Sequence, residues 1–219
     1  MTVATSDRQT GSNLFRPHGP DLECAPTIED LPLAAEIWRY SPASGVWQRV
    51  FKSPEDIPIA WDEAGAPVKF AARDMAFRGM AGFTESDGTD ALYVAGVSTS
   101  VLFDRNGPWA NDPGSYPPPR LLRSSDGITF APVPQTPGTF LADIGTKRDG
   151  VVQVPGFRSL HVHRGQLWVS ASDYRGVGFL LAPAIRPRGD NASYQASPSA
   201  EQLPIWTLAT FNGWLYATT

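Results

Sequence analysis

Apolar and polar positions follow one order three times along the chain. The first copy reads Phe77-Arg78-Gly79-Met80, then Phe83, then Leu92-Tyr93-Val94-Ala95. The second reads Phe157-Arg158-Ser159-Leu160, then His163, then Leu167-Trp168-Val169-Ser170. The third reads Ile205-Trp206-Thr207-Leu208, then Phe211, then Leu215-Tyr216-Ala217-Thr218. The second and third copies align without a gap, and the first carries five extra residues in the polar turn 85–90.

The turns give this repeat a physical meaning. Arg164-Gly165 and Asn212-Gly213 fall at the same place in their copies, between two apolar runs. A two-residue loop with Gly second suits a type I′ turn, whose central residues both need φ > 0 and whose twist matches the flanking strands. Each copy is therefore expected to form a β-hairpin. In the third copy, Ile205, Ala209 and Phe211 fall on one strand face, and Trp206 and Leu208 on the other. Such a pattern predicts burial on both faces of the first strand.

A second kind of hairpin lies between these copies. Residues 36–41 lead through Pro42-Ala43-Ser44-Gly45 to 46–50, and residues 121–125 lead through Asp126-Gly127 to 128–133. An aromatic followed three residues later by Val closes both, at Trp47/Val50 and Phe130/Val133. A weaker copy runs from 178–182 to 194–196. Two hairpins of alternating kind make a four-stranded antiparallel meander, the blade unit of a β-propeller.

The predicted fold is thus all-β: an incomplete β-propeller of four-stranded antiparallel blades, with about three blades' worth of strands. Residues 1–33 are read as an irregular leader. A half-blade spans 34–52, whole blades span 70–134 and 155–198, and a second half-blade spans 203–219. Closed propellers have about four to eight blades. The count favours a segment of a longer propeller over an open assembly completed by self-association.

These residues resemble kelch-like and Asp-box propellers. The run Glu36 to Val50, EIWRYSPASGVWQRV, resembles the outer half of a kelch blade, although the kelch Gly-Gly doublet does not occur in the chain. Ser124 to Phe130, SSDGITF, resembles the Asp box. The resemblance implies propeller architecture over roughly 34–219. It also implies that the Ser124–Asp126 motif is a structural turn, not a catalytic one.

Composition agrees with many short strands. Gly and Pro together make 41 of 219 residues, above the ~12% of an average protein. A net charge of −4 gives no footprint for nucleic acid or an anionic membrane. No run approaches the ~18 apolar residues of a membrane span, and residues 1–20 lack the apolar core of a secretory signal. A cytoplasmic location is the expectation. Cys24 stands alone, which excludes an intrachain disulfide and a C-x-x-C site, and the sequon at Asn191 matters only in a secreted chain.

Candidate chemistry is sparse. His161 and His163 share a strand face, a spacing compatible with a metal. Their repeat equivalents Ala81, Phe83, Ala209 and Phe211 instead mark them as packing positions, and no metal or other cofactor is expected. Arg78 and Arg158 are the ligand-binding candidates. They hold one position in successive copies, and equivalent positions of a propeller converge on one mouth of its channel. Paired guanidinium groups suit carboxylate or phosphate, and sialidases use convergent arginines in this way, a likeness of architecture alone. The competing reading gives each Arg a local structural partner. Asp74, Asp104, Asp112, Asp143 and Asp149 are read as solvated loop charges. Nucleophile elbows and phosphate-binding Gly-rich loops do not occur.

Two long connections, 102–119 with Trp109 and Tyr116, and 132–155 with Asp143 and Lys147, are candidates for partner contact. The leading expectation is a non-enzymatic scaffold binding a protein or a small anionic or glycan ligand. The alternative is a propeller hydrolase or lyase acting on such a substrate.

Overall fold

The computed structural model describes residues 33–99, 118–134, 147–148, 151–152, 156–172, 179–183, 195–196 and 206–218. The described residues form antiparallel sheets and no helix. A hairpin of β1 (Glu36–Ser41) and β2 (Val46–Lys52) comes first, then one of β3 (Ile57–Trp61) and β4 (Pro67–Ala71). A four-stranded meander follows, made of β5 (Asp74–Thr84), β6 (Asp90–Ser98), β7 (Leu121–Ser124) and β8 (Ala131–Pro132). After the short pair β9 (Lys147–Arg148) and β10 (Val151–Val152) comes a second meander. Its strands are β11 (Phe157–His163), β12 (Gln166–Ser172), β13 (Phe179–Pro183) and β14 (Gln195–Ala196). The hairpin of β15 (Thr207–Phe211) and β16 (Trp214–Thr218) ends the series.

The turns are those the sequence predicts. Arg164 and Gly165 have φ of 49° and 70°, and Asn212 and Gly213 have 47° and 79°. All four lie in the left-handed region that a type I′ turn requires.

Successive units pack face to face. On one side of the first meander, Val94 and Leu122 meet Ile37 of β1, with Phe51, Phe77 and Phe130 packed around them. The Phe51 ring lies 6.0 Å from both the Phe77 and the Phe130 rings. On the other side, Tyr93, Ala95 and Leu121 share a core with Phe157, Leu160 and Leu167 of the second meander. Trp168 and Leu215 then cover Leu208 of β15. Fully burying each such large apolar side chain contributes roughly 1.5–3 kcal/mol.

The two meanders touch backbone to backbone at Gly79. A Cβ there would sit 3.0 Å from the Leu160 amide nitrogen and 3.3 Å from the Ser159 Cα. Neither atom can yield as a flexible side chain would. We expect Gly79→Val to push β5 from β11 and to cost about 1–3 kcal/mol, read as a lower urea midpoint at an unchanged m-value.

Four expectations need correction. In the first meander the strand buried on both faces is the second of its hairpin: every residue of β6 from Ala91 to Ser98 is buried or half-buried, and Tyr93 to Ser98 are all buried, whereas β5 alternates from Phe77 to Thr84. In β15 only Leu208 is buried, and Phe211 is 64% exposed. β8 is shorter than expected because Asp126 Oδ1 accepts the Ile128 and Thr129 amides at 2.8 and 2.7 Å. Those bonds hold residues 128–129 in the turn, out of the ladder. Asp74 is not a solvated loop charge: it begins β5 fully buried, bound by Arg120. Asp104, Asp112, Asp143 and Asp149 lie outside the described residues, as do Trp109, Tyr116, Cys24, Asn191 and the leader 1–32. The β3–β4 hairpin went unpredicted. Its strands carry Pro58 and Pro67 and have a ladder broken around Ala60, so no clean alternation marks them.

Candidate functional site

The three copies of the repeat bring their equivalent positions together. In β5 the ladder steps from the pair Phe77↔Gly96 to the pair Gly79↔Ala95, leaving Arg78 as the extra residue of a bulge. In β11 it steps from Phe157↔Ala171 to Ser159↔Ser170, leaving Arg158 in the same role. A bulge re-aims the side chain of its extra residue and bends the strand. Both candidate arginines therefore leave their sheets by the same local device.

Since the backbones meet at Gly79 and Ser159, the two bulges are neighbours. The Arg158 pKa is lowered, first by burial and then by the positive charge of Arg78. Arg158 also reaches the third copy, where its guanidinium carbon stands 4.1 Å from the centroid of the Trp206 ring. Trp206 is 48% exposed, and its amide donates to the Thr218 carbonyl at 2.9 Å, anchoring it just before β15. Arg78, Arg158 and Trp206 thus occur in sequence order and in spatial order. The indole, which departs from the arginine pattern as a sequence, completes the cluster by cation–π stacking.

The histidines lie farther along β11. His161 Nε2 and His163 Nδ1 both hydrogen-bond the Thr210 hydroxyl, at 2.7 and 3.0 Å. Arg164 donates to the Gly213 carbonyl at 2.9 Å. These contacts tie the β11–β12 hairpin to the β15–β16 hairpin. Among the described residues no group of three or more metal-ligating side chains occurs.

Two buried carboxylates, Glu85 and Asp74, sit in the first meander, and the sequence marks neither as buried. Glu85, 4% exposed, accepts hydrogen bonds from the Tyr93 hydroxyl at 2.7 Å and from the Arg123 guanidinium, one of them at 2.7 Å. Burial pushes the Glu85 pKa up, but bonds from Arg123 and Tyr93 outweigh it and leave the value lowered. Tyr93 is driven well above its ordinary range by burial and by the Glu85 charge, so its hydroxyl stays a donor. Asp74 accepts from Arg120 Nε at 3.1 Å and from the Ser53 hydroxyl at 2.9 Å. In the sequence Glu85 is only part of a polar turn, and nothing local marks it as the partner of a buried Tyr.

A shallow cleft of about 430 Å³ lies toward the turn end of β5, lined by Phe83, Thr84, Asp90, Ser124 and Val162. Neither candidate arginine reaches it. Asp126 closes the turn at its rim, and four hydrogen bonds from Thr129, Ile128 and Ser124 hold its carboxyl well below the ordinary range. Among the described residues no helix is long and apolar enough to cross a membrane. No protein-family model and no curated protein matches the chain.

Proposed function

We propose that the chain is a β-propeller-type repeat scaffold of kelch-like or Asp-box character, and that it binds a small anionic or glycan ligand without transforming it. The binding residues are Arg78, Arg158 and Trp206. The observation that carries this reading is the meeting of equivalent repeat positions from three successive units. Blades arranged about a common axis bring equivalent residues together in this way. Two further features support the architecture: the two four-stranded meanders packed in sequence order, and the Ser124–Asp126 turn closed on itself.

The chemistry follows from the cluster. Guanidinium forks take carboxylate, sulfate or phosphate in paired hydrogen bonds. An indole beside them offers an apolar face for a sugar ring. An aromatic from the neighbouring unit engages Arg158, as suits a recognition surface; a glycosidase needs two carboxyl groups at a set separation.

Calorimetric titration with glucuronate, inorganic sulfate and neutral glucose tests the reading. We expect the two anions to bind and glucose not to. Arg158→Ala and Arg78→Ala should each weaken binding at least tenfold, or about 1.4 kcal/mol. Trp206→Ala should weaken glucuronate more than sulfate. Anion binding that survives both arginine substitutions would remove the site, and turnover of a glucuronide by the wild-type chain would remove the non-enzymatic claim.

A further inference from the structure

We infer that the cleft at the turn end of β5 is a binding site, separate from the arginine cluster, for a small organic ammonium with an apolar body. Its volume of about 430 Å³ falls within the roughly 300–1,000 Å³ of small-molecule sites. The strand register fixes its floor. Gly82 stands opposite Leu92 and Leu92 opposite Ser124, so these three residues share one face of the sheet. Thr84 and Asp90 form the next pair on that face, toward the turn, and Val162 of the second meander also lines the cleft.

Gly82 is the residue that points to a ligand. A glycine inside a strand weakens it, and often marks a bulge, a bend, or a close approach by backbone or ligand. The other glycines of β5 and β6 meet backbone. A Cβ at Gly79 would stand 3.0 Å from the Leu160 nitrogen, and one at Gly96 would stand 2.7 Å from the Arg120 carbonyl oxygen. Gly82 differs from both. Its pairing with Leu92 lies outside the two register shifts of β5, so it forms no bulge. It is not one of the positive-φ glycines. A Cβ added to it would meet nothing within 4 Å among the described residues. The described residues thus give no cause for this glycine, and a ligand seated against the strand gives one.

The polar groups set the class of ligand. Asp90 Oδ1 accepts from the Thr84 hydroxyl at 2.6 Å, while Oδ2 takes no hydrogen bond from the described residues. The lining residues include no Lys, Arg or His, so nothing within the cleft balances the Asp90 charge. A carboxylate beside Leu92 and Val162 suits a ligand with a positive end and a hydrocarbon body. The positive end would donate a charge-assisted hydrogen bond to Asp90, and the body would leave water against the apolar walls. An anion has the wrong charge for this cleft.

The test titrates the full chain, isotopically labelled, with cyclohexylammonium and follows the backbone amides of Gly82 and Asp90 by NMR. Cyclohexanol lacks the charge, and methylammonium lacks the apolar body. We expect saturable shifts at those amides with cyclohexylammonium, and affinity weaker by about threefold or more with either control. Asp90→Asn keeps an acceptor for Thr84 and should weaken binding by about three- to tenfold, as suits an exposed charged contact. Gly82→Val should weaken binding by about tenfold or more, because its side chain would occupy the floor. It should unfold at an equal or higher urea concentration, since strands favour β-branched residues and this one would enter open space. Gly82→Ala should fall between wild type and Gly82→Val in affinity.

Absence of saturable shifts at Gly82 and Asp90 overturns the site. Equal affinity for cyclohexanol overturns the ammonium as its ligand. Full binding by the Gly82→Val chain overturns the placement on this floor. A lower urea midpoint for that variant would show that packing needs the glycine, and would also overturn the inference.

Discussion

Asp74→Ala is expected to destabilise the fold by about 3–5 kcal/mol, the cost of removing one partner from a buried ion pair. The Asp74 side chain is 0% exposed and the Arg120 side chain 12%. Arg120 would keep its charge in that place with no carboxylate to face. Asp74 also binds the Ser53 hydroxyl, which in turn accepts the Asp74 amide at 2.8 Å. Truncation would therefore loosen the connection between β2 and β5 as well as that between β5 and β7. Urea unfolding at pH 7 reads the effect as a lower midpoint. The double variant Asp74→Leu/Arg120→Met should recover much of the loss, since apolar replacements of a buried pair leave no charge stranded. A single-variant loss below about 1 kcal/mol would show that the pair is solvated, as surface pairs are.

Glu85→Gln is expected to change how stability depends on acid. The Glu85 pKa is lowered from 4.5 in the folded chain, because the Arg123 and Tyr93 bonds outweigh the burial that raises it. The unfolded chain therefore binds the proton more readily. Stability from this group is full above the unfolded value and is lost as pH falls through the lower folded value. In the wild type, unfolding free energy should decline as pH drops below 4.5. The substituted chain should lack that part of the slope and start lower at pH 7. Its deficit there should be about 1–3 kcal/mol, the scale of a buried hydrogen-bonding group left imperfectly paired. Parallel slopes for the two proteins across acid pH would remove Glu85 from the account.

The strands of the repeat were legible because each copy states its own register. Arg164-Gly165 and Asn212-Gly213 define turns through backbone chemistry that few other pairs permit, and apolar runs on either side do the rest. The second kind of hairpin was legible through the aromatic-x-x-Val ending, as at Trp47 and Val50. What could not be read was which charges are buried. Asp74 and Glu85 have no local feature separating them from solvated carboxylates, since their partners Arg120 and Arg123 lie 46 and 38 residues away. Burial of the strands was misassigned for a similar reason. Apolar alternation within β5 does not show that β6 is the strand enclosed by units on both sides.

The candidate site was half legible. Alignment placed Arg78 and Arg158 in one role, but the bulges that re-aim them are visible only in the strand register. Trp206 takes the place that Arg78 and Arg158 hold in the other copies, and a match by residue type gives it no role there. Stacking on Arg158 makes it complementary to its neighbour, a relation that a search for identity passes over.

The bulges also bear on how this chain tolerates changes of length. A residue lost from a strand ordinarily turns everything beyond it to the opposite face. Arg78 is the surplus residue between the pairs Phe77↔Gly96 and Gly79↔Ala95. Its deletion would leave both pairs intact and adjacent, with Phe77 still against Phe51 and Gly79 still against β11. The same holds for Arg158 between Phe157 and Ser159. At these two positions a strand can shorten by one codon and keep its frame, so the proposed recognition residues are ones whose gain or loss the sheets can absorb.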